Sequence, residues 1–418
     1  MLRRGRALIV GGGLVWAGAL AVAGQVKTTR SVSPVSEEML RNPPAAEWLH
    51  SRRTYDAWSY SPLDQITGQN VGQLQLAWSW GMHGGNQQAS PIVHDGVMYL
   101  ANPGSVVQAL DAATGDLLWE YRREFPETLR ARAVIRAIRG LSIFEDKLFL
   151  NTADAHIVTL DARTGRVVWD VQVADAAQGF FYSAPSLVVR GKVISGLQGC
   201  ELYRQEKCAI TAHDARTGKE LWRTSTIARP GEPGGDSWGD LPLLYRAGSD
   251  AWVTGSYDPV LNLVYWSTAQ AKPWSRAARG TDGDALYSNT VLALDPDTGK
   301  IVWHNQLLPG ETHDMDEVFE NILVDVGARK SLFKMEKLGI LWQLDRQTGT
   351  FHQRRGSQIP ESRARRSEHR ESDVPPWDDS CARSGSRVLP EHSRFQELAR
   401  DGVPPYDSRV LHPVAPHV

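Results

Sequence analysis

One phrase recurs along the chain and limits what it can fold into: "LDAATGDLLWEY", "LDARTGRVVWDV", "HDARTGKELWRT", "LDPDTGKIVWHN" and a shortened "LDRQTGTFHQ". Its Asp falls at positions 111, 161, 214, 295 and 345. Within each copy, Thr-Gly supplies a tight turn, because Gly accepts the positive φ that such a turn requires. Alternating apolar residues flank the turn as two strands, and a Trp stands at 119, 169, 222 and 303 where it can pack between neighbouring sheets. An all-β repeat about 50 residues long implies propeller blades. The step from Asp214 to Asp295 is longer than the others, so about 30 extra residues are inserted there, and such insertions are where propellers build sites.

Charge excludes some partners. A formal net charge of −2 and the absence of a long block of like charge argue against nucleic acid. The first residues, "MLRRGR" followed by "ALIVGGGLVWAGALAVAG", have the basic and apolar regions of a secretory signal peptide. Ala21-Val22-Ala23 gives its cleavage pattern, so residues 1–24 are read as the signal and the rest as exported to the periplasm. A retained membrane anchor is the alternative, since the apolar run approaches a spanning length. Cys200 and Cys208 can close a small disulfide loop in an oxidising compartment, and Cys381 is left over. No C-x-x-C-H occurs, so nothing in the sequence attaches a c-type haem.

From residue 354 the alternation stops, and Arg, Ser and Pro dominate. Residues 354–418 are expected to be a non-homologous, disordered tail, because they cannot bury the apolar surface of a blade. Another stretch raises a different question. "LLPGETHDMDEVFE", residues 307–320, crowds acids beside one His after a strand–turn–strand unit. Carboxylates so close repel one another unless water, a cation or a shared proton compensates.

Taken together, the "LDxxTGxxxW" repeats, "GSYDPVLNLVYWSTAQAKPW" and "PGETHDMDEVFE" resemble the pyrroloquinoline-quinone (PQQ) dependent alcohol dehydrogenases, which are exported eight-bladed quinoprotein propellers. The resemblance runs from about residue 47 to about residue 349, the first half of that propeller. It implies an incomplete quinoprotein β-propeller of about four to five blades over residues 25–353, and oxidation of a small alcohol to an aldehyde. PQQ is a flat tricarboxylate quinone, so its site needs cations for the carboxylates and aromatic walls for the faces. A hard cation polarises the quinone, and a carboxylate takes the alcohol proton.

By this resemblance Gln88, Arg139, Trp252 and Lys337 are cofactor-binding residues. Gln88 stands where many relatives have Glu, and Trp252 forms the floor under the ring. Ala133 and Val134 stand where the best-known branch has a vicinal Cys pair. Glu201 in "GCEL", Gln270 in "STAQAKPW", Asp314 and Asp316 are the metal set, with Asp314 also the catalytic base. Gln270 replaces an Asn, and Asp250 stands where relatives commonly have Thr. The metal is Ca²⁺, or a lanthanide if Asp316 joins Glu201 and Asp314 on one ion, as residues two apart on a strand would allow. His313 and Glu317 are read as solvated neighbours.

Electrons would pass to a separate cytochrome c, and a homodimer is a further expectation. An alternative from another class is a non-catalytic propeller scaffold of the outer-membrane assembly type, which shares the Trp-containing repeat. Half a propeller also leaves open sheet edges, so the resemblance leaves the activity of this chain by itself open.

Overall fold

The computed structural model describes residues 31–356. The predicted signal peptide and nearly all of the predicted tail lie outside the described residues. Five four-stranded antiparallel sheets follow one another along the chain. Their innermost strands are Ile92–His94, Ser142–Phe144, Leu187–Val189, Ser256–Asp258 and Ile322–Val326. Their outermost strands are Leu117–Arg122, Val167–Gln172, Glu220–Ser225, Ile301–Gln306 and Phe351–Gly356. These are five propeller blades, as the repeat predicts, and the last strand continues three residues past the expected boundary at 353.

The repeat works in more detail than the Thr-Gly turn suggests. In every copy the Gly has φ between 69° and 75°, and its N–H donates to the Asp carbonyl at 2.8 Å. The Asp side chain has its own part. Asp161 Oδ1 accepts from the N–H groups of Arg163 and Thr164, and Asp214 Oδ1 from those of Arg216 and Thr217. Such Asx geometry fixes the loop without tertiary support. The fifth copy, worn in sequence, keeps it: Asp345 Oδ1 accepts from Gln347 and Thr348, each at 2.9 Å. A β-bulge recurs just before each loop, turning the outer strand.

The Trp residues join blade to blade. The indole N–H groups of Trp119, Trp169, Trp222 and Trp303 donate to the carbonyls of Ala162, Ala215, Pro296 and Arg346, each the residue after the repeat Asp of the next blade. Each ring covers the next repeat Gly so closely that a β-carbon there would lie within 3 Å of it. Trp78, ahead of the first blade, makes the same contact with Gly115 and bonds Ala112 O at 3.1 Å. One core cluster runs through the first four blades, with Leu148, Val193, Val264 and Leu292 fully buried, and a second, with Tyr265 and Leu332, joins the fourth blade to the fifth.

The insertion after Asp214 does not form another blade. It supplies the loop at 226–255 and a second excursion at 268–289 inside the fourth blade, tied together by the pairing of Ala247–Gly248 with Ala271–Lys272. Cys200 and Cys208 form a disulfide with their α-carbons 5.7 Å apart, next to this ribbon.

Candidate active site

The chain enters each innermost strand from the same end of the propeller, and the entering segments touch in order. Ser90 N–H donates to Arg139 O at 3.1 Å, and Arg139 N–H to Ser183 O at 2.7 Å. Thr254 Oγ1 donates to Pro185 O at 2.7 Å, and Ser256 Oγ to Asn321 O. These five segments enclose a cleft of about 400 Å³ near the blade axis, lined among others by Gln88, Arg139, Trp252 and Phe319. Three of the four predicted cofactor-binding residues are therefore brought together.

In the cleft the Arg139 guanidinium lies 4.9 Å from the centre of the Trp252 ring, and Phe319 meets that ring edge-on at 5.2 Å. Arg139 also donates to Ser183 Oγ, which donates in turn to Gln198 at 3.1 Å. A flat anionic ligand suits such a place. The indole offers a face, and a guanidinium held by its own backbone and side-chain bonds offers a fixed fork for carboxylates. Arg52 adds a second cation, paired with Glu320 on the cleft wall. The sequence reading missed Arg52 and Phe319. Arg52 stands in "HSRRTYD" and Phe319 in "DEVFE", stretches that look like ordinary surface chain.

The fourth predicted cofactor residue, Lys337, belongs to a neighbouring group. Its ammonium bonds Asp316 Oδ2 at 2.6 Å and Asp314 O at 2.9 Å. Burial pushes the Asp316 carboxyl up, and the Lys337 bond opposes that shift. Asp314 has φ 58°, a left-handed conformation that costs a non-glycine residue energy and tends to persist at functional positions. That turn overturns the expectation that residues 314 and 316 face the same way, as residues two apart on a strand would. Asp314 faces Gln270 and Lys272, while Asp316 faces Lys337.

The predicted metal set is accordingly held apart. Lys272 Nζ stands 3.6 Å from Glu201 Oε1 and 3.6 Å from Asp314 Oδ1. Gln270 turns its amide nitrogen toward Asp314, and its oxygen is buried without a hydrogen-bond donor. Oxygens of Glu201, Asp314 and Asp316 do not converge within 4.8 Å; among the described residues the group that does is Glu47, His94 and Asp95. That group is a satisfied network. His94 bonds Glu47 and Ser33 O at 2.8 Å each, and Asp95 accepts from Ser33 N–H.

Of the two residues read as solvated neighbours, one differs from expectation. His313 is exposed, but Glu317 is fully buried with both carboxylate oxygens unpartnered. Burial, then the charge of Glu336, push its carboxyl up to about 9. The fifth blade explains this, because Lys334, on the strand Arg329–Met335, and Glu336, just after it, form a buried ion pair whose charges act on Glu317. Asp250, the departure from relatives, is also buried. Its Oδ1 accepts from Gly199 N–H at 2.6 Å and Cys200 N–H at 3.1 Å, which fixes the backbone that presents Glu201.

A partial propeller whose inner segments gather an indole, a guanidinium and a lysine-flanked pair of carboxylates defines a quinoprotein-type site. The sequence pattern of the PQQ-dependent glucose/ethanol/alcohol dehydrogenase β-propeller domain matches residues 48–362, and the chain belongs to that family. It is 36% identical over 322 residues to the quinohemoprotein alcohol dehydrogenase ADH IIB of Pseudomonas putida, covering 72% of this chain and 46% of that protein. It is 34% identical to the quinoprotein alcohol dehydrogenase PedH of Pseudomonas putida, covering 76% of this chain and 56% of PedH. The solved quinohemoprotein alcohol dehydrogenase ADHIIG of Pseudomonas putida HK5 superimposes with a TM-score of 0.73 at 33% identity, over 78% of this chain and 51% of that one. A europium-containing methanol dehydrogenase superimposes with a TM-score of 0.71 at 28% identity, over 77% and 59%. The chain spans about half the length of the curated relatives it matches.

Proposed function

We propose that this chain carries the PQQ-binding portion of a periplasmic alcohol dehydrogenase that oxidises a small alcohol to an aldehyde. The observation that supports this most is the fixed Arg139 guanidinium over Trp252, in a cleft at the propeller axis. When bound, PQQ supplies a two-electron acceptor for a hydride from the alcohol carbon. Arg139 and Arg52 would hold its carboxylates, Trp252 and Phe319 would wall its faces, and Gln88 would close the rim. Asp314 takes the hydroxyl proton on its carboxylate, whose Oδ1 is held by the Gln270 amide. Lys337 holds the loop from two sides, through Asp316 and the Asp314 carbonyl, so the base keeps its direction.

The Ca²⁺ or lanthanide expected at Glu201, Gln270, Asp314 and Asp316 does not fit these residues as they stand. Lys272 lies between two of the carboxylates and Lys337 on the third. A separate cytochrome c takes the electrons onward, and the Cys200–Cys208 bridge agrees with an exported protein.

The test is dye-coupled oxidation of short primary alcohols by the purified chain supplied with PQQ. Turnover above that of free PQQ is expected. A rate equal to free PQQ, with the chain folded, would contradict the proposal.

A further inference from the structure

Three carboxylates of the acidic group, Glu201, Asp314 and Asp316, face two ammonium groups, and the pairing is specific. Lys337 serves Asp316 at 2.6 Å. Lys272 lies between Glu201 and Asp314, at 3.6 Å from each. Its side chain is nearly buried, and the Trp274 ring lies 4.6 Å from the ammonium. Its backbone is fixed by the pairing of Ala271–Lys272 with Ala247–Gly248, so the stem emerges at a set place. On the second side the Glu201 carboxylate is two-thirds exposed, but its backbone is held, because Asp250 accepts from the Gly199 and Cys200 amides that precede it.

We propose that the Lys272 ammonium is a built-in cation that takes the place of a metal ion between Glu201 and Asp314. The inference rests on reading Asp314 as the carboxylate of the active site. A hard cation in that position would need the oxygens that Lys272 neutralises, and it would meet a like charge a few ångströms away. Exclusion follows from charge and occupancy together. The Gln270 oxygen, already buried without a donor, becomes a third ligand once the ammonium is gone. Lys272 therefore masks a latent site for an oxygen-seeking cation.

The experiment is a terbium(III) titration followed by luminescence sensitised through Trp274, on the wild-type chain, Lys272→Met, and Lys272→Met with Glu201→Gln. Lys272→Gln, which keeps a polar stem, stands in if the Met variant loses its circular dichroism. The wild type is expected to give no saturable signal in the range where Lys272→Met saturates, a difference of at least about a hundredfold, within reach of one unit charge. Glu201→Gln should abolish the gain. Equal midpoints for wild type and Lys272→Met, or no gain in either lysine variant, would overturn the proposal. PQQ absorbance is followed on the same wild-type sample. Loss of cofactor binding with the terbium pattern intact would sink the proposed function and leave the role of Lys272 standing.

Discussion

The indole of Trp169, in the second blade, lies against Gly218 of the third so closely that a β-carbon on Gly218 would come within 2.9 Å of its ring. Gly218 has φ 75°, so it meets two demands at once, one of backbone and one of space. Gly191 has φ 70° and open space around it, so it meets the backbone demand alone. Gly191→Ala should therefore cost about 1 kcal/mol, and Gly218→Ala an additional 1–3 kcal/mol, roughly, from overpacking. Urea unfolding of the two variants measures the difference. Equal losses would mean that the Trp–Gly contact does not hold the blades.

Glu317 makes stability depend on pH. Its folded carboxyl titrates near 9, above its value in the unfolded chain, so the folded state holds the proton more tightly. That contribution is complete below the unfolded value near 4.5 and is lost as pH rises through about 9. The wild-type melting temperature should fall across this window. Glu317→Gln should fall less steeply and melt higher than wild type at pH 8, with little difference at pH 4. Parallel melting curves would show that Glu317 is not buried in the charged company of Glu336 and Lys334.

Arg139 and Trp252 should be separable in cofactor binding. Arg139→Ala removes a charge-assisted bond, worth about 1.5–3 kcal/mol, or roughly ten- to a hundredfold in affinity for PQQ. Trp252→Phe keeps an aromatic face and should weaken binding less than Trp252→Ala. Equilibrium titration of each variant by quinone absorbance checks the order. A Trp252→Ala chain that binds as well as wild type would remove the ring from the site.

Asp314→Asn keeps the shape and removes the base. PQQ binding should persist while alcohol turnover falls by about 10²–10⁴, the usual contribution of a positioned general base. Unchanged turnover would pass the role to another carboxylate, of which Asp316 is the nearest in sequence.

The fold was legible because one phrase states it five times, and each part of the phrase has a local cause. The Asp closes the loop, the Gly takes positive φ, and the Trp reaches the next blade. The site was legible only residue by residue. Arg139, Trp252 and Gln88 meet at the propeller axis, and a resemblance in separate motifs could find them without knowing their distances. Asp314 and Asp316 could not be judged so, because a left-handed residue at 314 reverses the direction that a strand pattern implies. Lys272 escaped notice for a related reason. An isolated lysine after Gln-Ala reads as surface chain until the ribbon of Ala271–Lys272 with Ala247–Gly248 places it among carboxylates. Glu317 looked solvated near His313, and only the buried pair of Lys334 and Glu336 in the fifth blade reveals its surroundings.

Equilibrium binding of PQQ to the purified chain, followed by quenching of tryptophan fluorescence, tests the central claim most directly. The account predicts saturable binding of one PQQ per chain, weakened by Arg139→Ala and by Trp252→Ala. A folded chain whose fluorescence does not respond to PQQ, or responds equally after both substitutions, would contradict it.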